Sequence, residues 1–222
     1  MADSDTHTAF FYGTLMAPGV LHRVINGTHN PSESQASRLT VRPALLKSYT
    51  RHRVRNADYP AILPSPGDSV STTAACVRGS LVTGLTSADL YRLDIFEGDQ
   101  YVRRQVRVQV LKDVGLDEMA PTDSSAHVLE KDVEAETYVW DEGEDTLEPK
   151  EWDFEEFKRD KMKAWMGMAQ GEGVDVDEGF ADVDRAVAEQ EKARQGQGQN
   201  HDPMGGRGAN GHITRQLKEA AV

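Results

Sequence analysis

Glu97, the last residue of SADLYRLDIFE, is the side chain with the most to offer chemically. On a helical period Leu90, Leu93 or Asp94, and Glu97 share one face, so the stripe that turns inward carries a carboxyl with it. Desolvation and the negative end of the helix dipole both favour the protonated form there, which suits a general acid/base working near neutrality. The same spacing also fits a Glu97 that frays outward or pairs with Arg103 or Arg104. A second stretch, FFYGTLM at 10–16, breaks an apolar strand with Gly13-Thr14 just ahead of Pro18. A turn over Gly13–Ala17 would expose several backbone N–H groups near a helix N-terminus, an arrangement that favours a carboxylate or phosphate. An ordinary strand-to-helix turn, with Gly13 supplying backbone freedom, is the other reading.

Other chemistries find less support. The seven histidines never pair at metal-ligand spacing, so no metal site is expected. Neither a G-x-S-x-G elbow nor a Walker loop occurs. Gly206, Gly208 and Gly211 satisfy G-x-G-x-x-G without the preceding strand that a dinucleotide site needs. The acidic run at 175–184 lacks the glycine position of a calcium loop and reads as solvated linker. Cys76, the single cysteine, excludes an internal disulfide framework and is expected as a small buried side chain in a reducing compartment. A net charge of -12 argues against nucleic acid as a partner. No stretch approaches the roughly 20 apolar residues of a membrane span, and MADSDTHTAFF lacks the basic and apolar regions of a signal peptide. A cytoplasmic location is the expectation, with the nucleus open, and the Asn26-Gly27-Thr28 sequon is then idle.

The elements that must position these residues follow from periodicity. Strands are expected at Thr8–Tyr12, Leu39–Val41, Ala44–Tyr49, Ala61–Leu63, Ala74–Thr83, Val102–Leu111 and Thr137–Trp140. In the sixth, Val102, Val106, Val108 and Val110 alternate with Arg103, Gln105, Arg107 and Gln109. Pro18 opens one helix that stops at Asn26-Gly27, and Thr86 with Asp89 opens a second that runs to Gly98. A third carries Phe154, Phe157, Lys161, Trp165 and Met168 as one stripe. Loops are expected over Asn26–Arg38 and over 112–133. The mixture predicts an α+β domain over residues 1–168 whose sheet curls into a small mixed barrel with flanking helices. Hydrophobic residues make up only 38% of the chain and mean hydropathy is -0.60. Residues 169–222 account for much of this: an acidic, Gly/Gln-rich tail expected to be largely disordered, with a short helix near Val183–Arg194 and another at the C-terminus. A protein partner engaging that tail is a further expectation.

FFYGTLM, NADYPAILPSPG, VRGSLVTGLT, LDIFEGDQYVRR, ETYVW and EWDFEEFKR follow one another in that order. Together they resemble the γ-glutamylcyclotransferase-like superfamily, in the branch related to plant avirulence-induced-gene proteins, over roughly residues 8–165. The resemblance implies a mixed barrel fold and a glutamate general acid/base at Glu97. It also implies a substrate-binding turn at Tyr12, Gly13, Thr14, Leu15, Met16 and Ala17, with Tyr138 lining the same pocket. The implied partner is a small γ-glutamyl compound, which an intramolecular acyl transfer would convert to 5-oxoproline and an amine, with no cofactor and no metal. A non-catalytic small-molecule-binding or protein-interaction module on the same fold is the alternative.

Overall fold

Apolar alternation in the strands produces one closed surface. In the computed structural model, which describes residues 6–65, 75–112, 129–168 and 178–194, seven strands form. They are β1 His7–Phe11, β2 Thr40–Lys47, β3 Tyr49–Arg53, β4 Pro60–Pro64, β5 Cys76–Leu85, β6 Tyr101–Leu111 and β7 Leu129–Trp140. Five of them close into a barrel in the order β1-β5-β2-β6-β7, and β3 with β4 makes a separate hairpin. Four barrel pairings are antiparallel, and β7 returns beside β1 in parallel, with Ala9 opposite Glu136. Phe10, Leu46, Leu81, Val106, Val108 and Val110 meet in one buried cluster, contributed by the same face of neighbouring strands. The α+β barrel expected from the sequence is the observed fold.

The helices are α1 Pro18–Asn26, α2 Glu33–Ser37, α3 Ser87–Glu97, α4 Phe154–Glu156, α5 Met162–Trp165 and α6 Glu178–Arg194. α1, α3 and α6 pack together, and their apolar residues join those of β1 and β5 in a second cluster that gathers Phe11, Ile25, Val82, Leu93, Phe96 and Phe180. The α6 helix begins before the expected Val183, and its Phe180, Val183 and Ala186 are buried in that cluster. A helix at this position supplies apolar area that the charged composition of its surroundings conceals.

Several expectations change. The two strands drawn at 39–41 and 44–49 are one, because Pro43 lies where β2 pairs with β5 only and costs no bond to β6. Ser48, at φ 63, then turns the chain into β3. The loop expected at 26–38 contains α2, opened by a Ser32–Gln35 capping box. It buries no side chain, so no apolar period announced it. The loop drawn at 112–133 gives way to β7 from Leu129, and residues 113–128 lie outside the described residues, as do Gly206, Gly208 and Gly211. A π-turn at Phe157–Lys161 separates α4 from α5 and breaks the expected stripe. Phe154, Phe157 and Trp165 are buried, but Met168 is 44% exposed. Cys76 is exposed rather than buried, since it starts β5 at the rim of the barrel.

Candidate active site

β1 runs into Tyr12, and a single 3-10 turn over Thr14–Met16 joins it to α1. The turn closes on itself: Met16 N–H donates to the Gly13 carbonyl at 2.9 Å and Ala17 N–H to the Thr14 carbonyl at 3.1 Å. The N–H groups of Thr14 and Leu15, at its start, precede any carbonyl the turn can offer them. Gly13 is needed for space. A β-carbon there would stand 2.8 Å from Pro60 Cγ, so the approach of β4 excludes a side chain. Two ties fix the strand end. Tyr12 Oη donates to the Tyr138 carbonyl at 2.7 Å, and Arg51 donates to the Tyr12 carbonyl at 3.0 Å.

Glu97 arrives from the other direction. Thr86 and Asp89 close both bonds of a capping box at the start of α3, as their spacing predicts. The buried Asp89 carboxyl also receives Arg38 at 2.6 Å, which anchors the helix. The helix ends at Glu97, half-buried, with Gly98 at φ 75 donating its N–H to the Asp94 carbonyl at 3.0 Å. A glycine at positive φ here lets the chain leave the helix and turn into β6.

These elements border a small pocket that opens to solvent. Phe10, Phe11, Tyr12, Gly13, Thr14 and Leu15 form one wall; Tyr59, Pro60, Glu97, Tyr101 and Tyr138 form the rest. Six residues singled out from the sequence, Tyr12, Gly13, Thr14, Leu15, Glu97 and Tyr138, thus border one space. Met16 and Ala17 do not border it; their amides close the turn and their side chains pack toward the helical cluster.

The electrostatics concentrate on Tyr138. Its hydroxyl donates to Asp94 Oδ1 at 2.8 Å, and Arg103 Nε faces the same oxygen at 3.3 Å while a terminal guanidinium nitrogen lies 3.4 Å from Glu136. Burial, then the Asp94 charge and hydrogen bond, then the Glu97 charge push the phenol well above the ordinary tyrosine value of 10.0. Arg103, offered above as a partner for Glu97, forms ion pairs with Asp94 and Glu136, and Arg104 is exposed.

Tyr59, Pro60 and Tyr101 were not singled out from the sequence. Tyr59-Pro60 sits in NADYPAILPSPG and Tyr101 in FEGDQYVRR, so both lay within the motifs without a period or charge to mark them. Tyr101 Oη donates to the Pro60 carbonyl at 2.9 Å and its ring meets Trp140 edge-on at 5.0 Å, which joins β4 to β6 across the cavity. Among the described residues no group of three or more His, Cys, Asp or Glu could hold a metal ion, and no helix is long and apolar enough to cross a membrane. A carboxyl that borders one aromatic-walled space with a turn whose first N–H groups find no carbonyl within the turn can exchange protons with a ligand whose anionic end rests on those groups.

Residues 9–154 match the family described as gamma-glutamyl cyclotransferase, AIG2-like. Protein AIG2 C of Arabidopsis thaliana is 31% identical over 157 residues, covering 71% of this chain and 75% of that protein. Protein AIG2 B of the same plant is 32% identical over 162 residues, covering 72% and 76%. Among solved structures, an Arabidopsis thaliana protein determined in solution shares 25% identity at a TM-score of 0.46, covering 88% of this chain and 90% of its own. A structure titled gamma-glutamyl cyclotransferase shares 17% identity at a TM-score of 0.41, covering 82% and 99%.

Proposed function

The chain belongs to the gamma-glutamyl cyclotransferase, AIG2-like family, and on that premise we propose that it closes the glutamyl group of a γ-glutamyl amine or peptide into 5-oxoproline and releases the amine. The observation that carries this reading is that Glu97 and the Tyr12–Leu15 turn, brought by α3 and β1 from distant parts of the chain, border one cavity.

The reaction needs proton transfer and restraint of the substrate. The substrate's α-carboxylate lies against the amides of Gly13, Thr14 and Leu15. Glu97 takes a proton from the α-ammonium, and the amine nitrogen attacks its own γ-carbonyl carbon, forming the ring C–N bond. Glu97 returns a proton to the departing nitrogen as the original amide C–N bond breaks. The second proton shed by the ring nitrogen leaves with the amine as its ammonium. No covalent intermediate with the protein is required, since the nucleophile belongs to the substrate. Holding the glutamyl chain folded between Tyr12, Tyr138 and the turn contributes by proximity.

The test is 5-oxoproline release from a panel of γ-glutamyl amines and dipeptides, wild type beside Glu97→Gln. Release by the wild type and none by an equally stable variant is the expected result. Full activity in Glu97→Gln would remove that residue from the mechanism, and silence of the wild type across the panel would remove the cyclotransferase reading.

A further inference from the structure

The Tyr138 hydroxyl donates to Asp94 Oδ1 at 2.8 Å, and Arg103 Nε forms an ion pair with the same oxygen at 3.3 Å. A carboxylate paired with a guanidinium offers only acceptors, so the single phenolic proton is committed to Asp94. That commitment decides what Tyr138 can offer a ligand. An uncommitted tyrosine donates to a carbonyl as readily as it accepts from an amine; this one has only lone pairs left. Arg103 is itself held at Glu136, which restrains the Asp94 carboxyl beside the phenol. Asp94 and Glu97, three residues apart on α3, share a helix face, and Tyr138 and Glu97 border the same cavity.

Resting on the cyclotransferase reading above, we infer that Asp94 is a positioning residue: it makes the Tyr138 oxygen a pure acceptor, which receives one N–H of the substrate's α-ammonium while Glu97 takes another. The nitrogen is then held by a hydrogen that Glu97 does not remove, and its rotation is fixed before ring closure. The same hydrogen bond bars Tyr138 from donating to the γ-carbonyl oxygen.

L-Glutamate and glutarate differ by the α-ammonium alone and neither carries an amide to cyclise, so their binding isolates this contact from turnover. Chemical-shift titrations at neutral pH are expected to show the wild type preferring L-glutamate by about tenfold or more, the scale of one charge-assisted hydrogen bond. Asp94→Asn can donate an amide N–H toward the phenol and release its proton, and Tyr138→Phe removes the oxygen. Each is expected to bring the preference down to about threefold or less. Asp94→Asn placed on Tyr138→Phe should reduce the preference no further, because Asp94 acts through the phenol. Equal binding of the two ligands by the wild type would overturn the inference and leave the glutamyl site standing. A preference that survives both substitutions, or losses that multiply in the double variant, would overturn it too. Binding of neither ligand would remove the glutamyl reading of the cavity and this inference with it.

Discussion

Phe96 and Phe180 pack with ring centroids 5.2 Å apart, so a helix beyond the family-matched residues 9–154 supports the residue next to Glu97. Arg23 fastens the contact: its guanidinium forks onto Asp184 at 2.9 and 2.6 Å and lies 5.2 Å over the Phe180 ring. Phe180→Ala is expected to cost about 3 kcal/mol, as for a buried aromatic truncated in a packed cluster. Urea denaturation measures it, and an unchanged midpoint would mean that α6 contributes nothing to the stability of the domain.

Gly13→Ala tests the close approach of β4. The new β-carbon would meet Pro60 Cγ at 2.8 Å, and a proline ring within a strand cannot swing aside. The expected cost is about 1–3 kcal/mol of stability, with kcat/KM for 5-oxoproline release down by about tenfold or more as the turn shifts. Gly19→Ala is the control. Its β-carbon meets only the flexible end of Met166, at 3.3 Å, and stability should stay within about 1 kcal/mol of wild type.

The cap of α3 gives a graded pair. Thr86→Ala removes a capping hydroxyl and should cost about 1 kcal/mol. Asp89→Ala removes the other half of the box and also strips Arg38 of its carboxyl, so its loss should be larger, about 2–3 kcal/mol with Arg38 partly exposed. Equal thermal shifts for the two variants would mean that the Arg38 pair adds nothing.

Alkaline stability reads the Tyr138 environment. The folded-state pKa of the phenol is raised above its unfolded value of 10.0, by burial first and then by Asp94. Its contribution is therefore fully present below pH 10.0 and is lost as pH rises from there toward the folded pKa, where only the unfolded chain ionises. Between pH 9 and about 11 the denaturation midpoint of Tyr138→Phe should fall less steeply than that of wild type. Parallel curves would mean that the phenol ionises as freely in the fold as outside it.

Much of the scaffold is legible in the chain because its signals are local. The Val106-Val108-Val110 alternation marks β6, and the Thr86–Asp89 spacing marks the start of α3. What escaped lacked such a signal. α2 buries nothing, and β7 begins in a segment whose residues carry no clear period. Phe180 sits among acidic and glycine neighbours that mask its role. At the candidate site, Glu97 and FFYGTLM stood out by residue type and resemblance, while Tyr59, Pro60 and Tyr101 are ordinary apolar and aromatic residues until the β3–β4 hairpin and the barrel bring them to one space.

By itself the sequence determined most of the strands, the cap of α3 and the order of the motifs, because alternation, capping and turn chemistry act over a few residues at a time. The tertiary structure decided which of those residues meet. It decided that Gly13 is needed for Pro60 rather than for its own dihedral angles, that the Tyr138 hydroxyl donates to Asp94, and that a π-turn ends the aromatic stripe before Met168. Each of these depends on the distance between elements far apart in the chain, which barrel closure and helix packing set and no local period encodes.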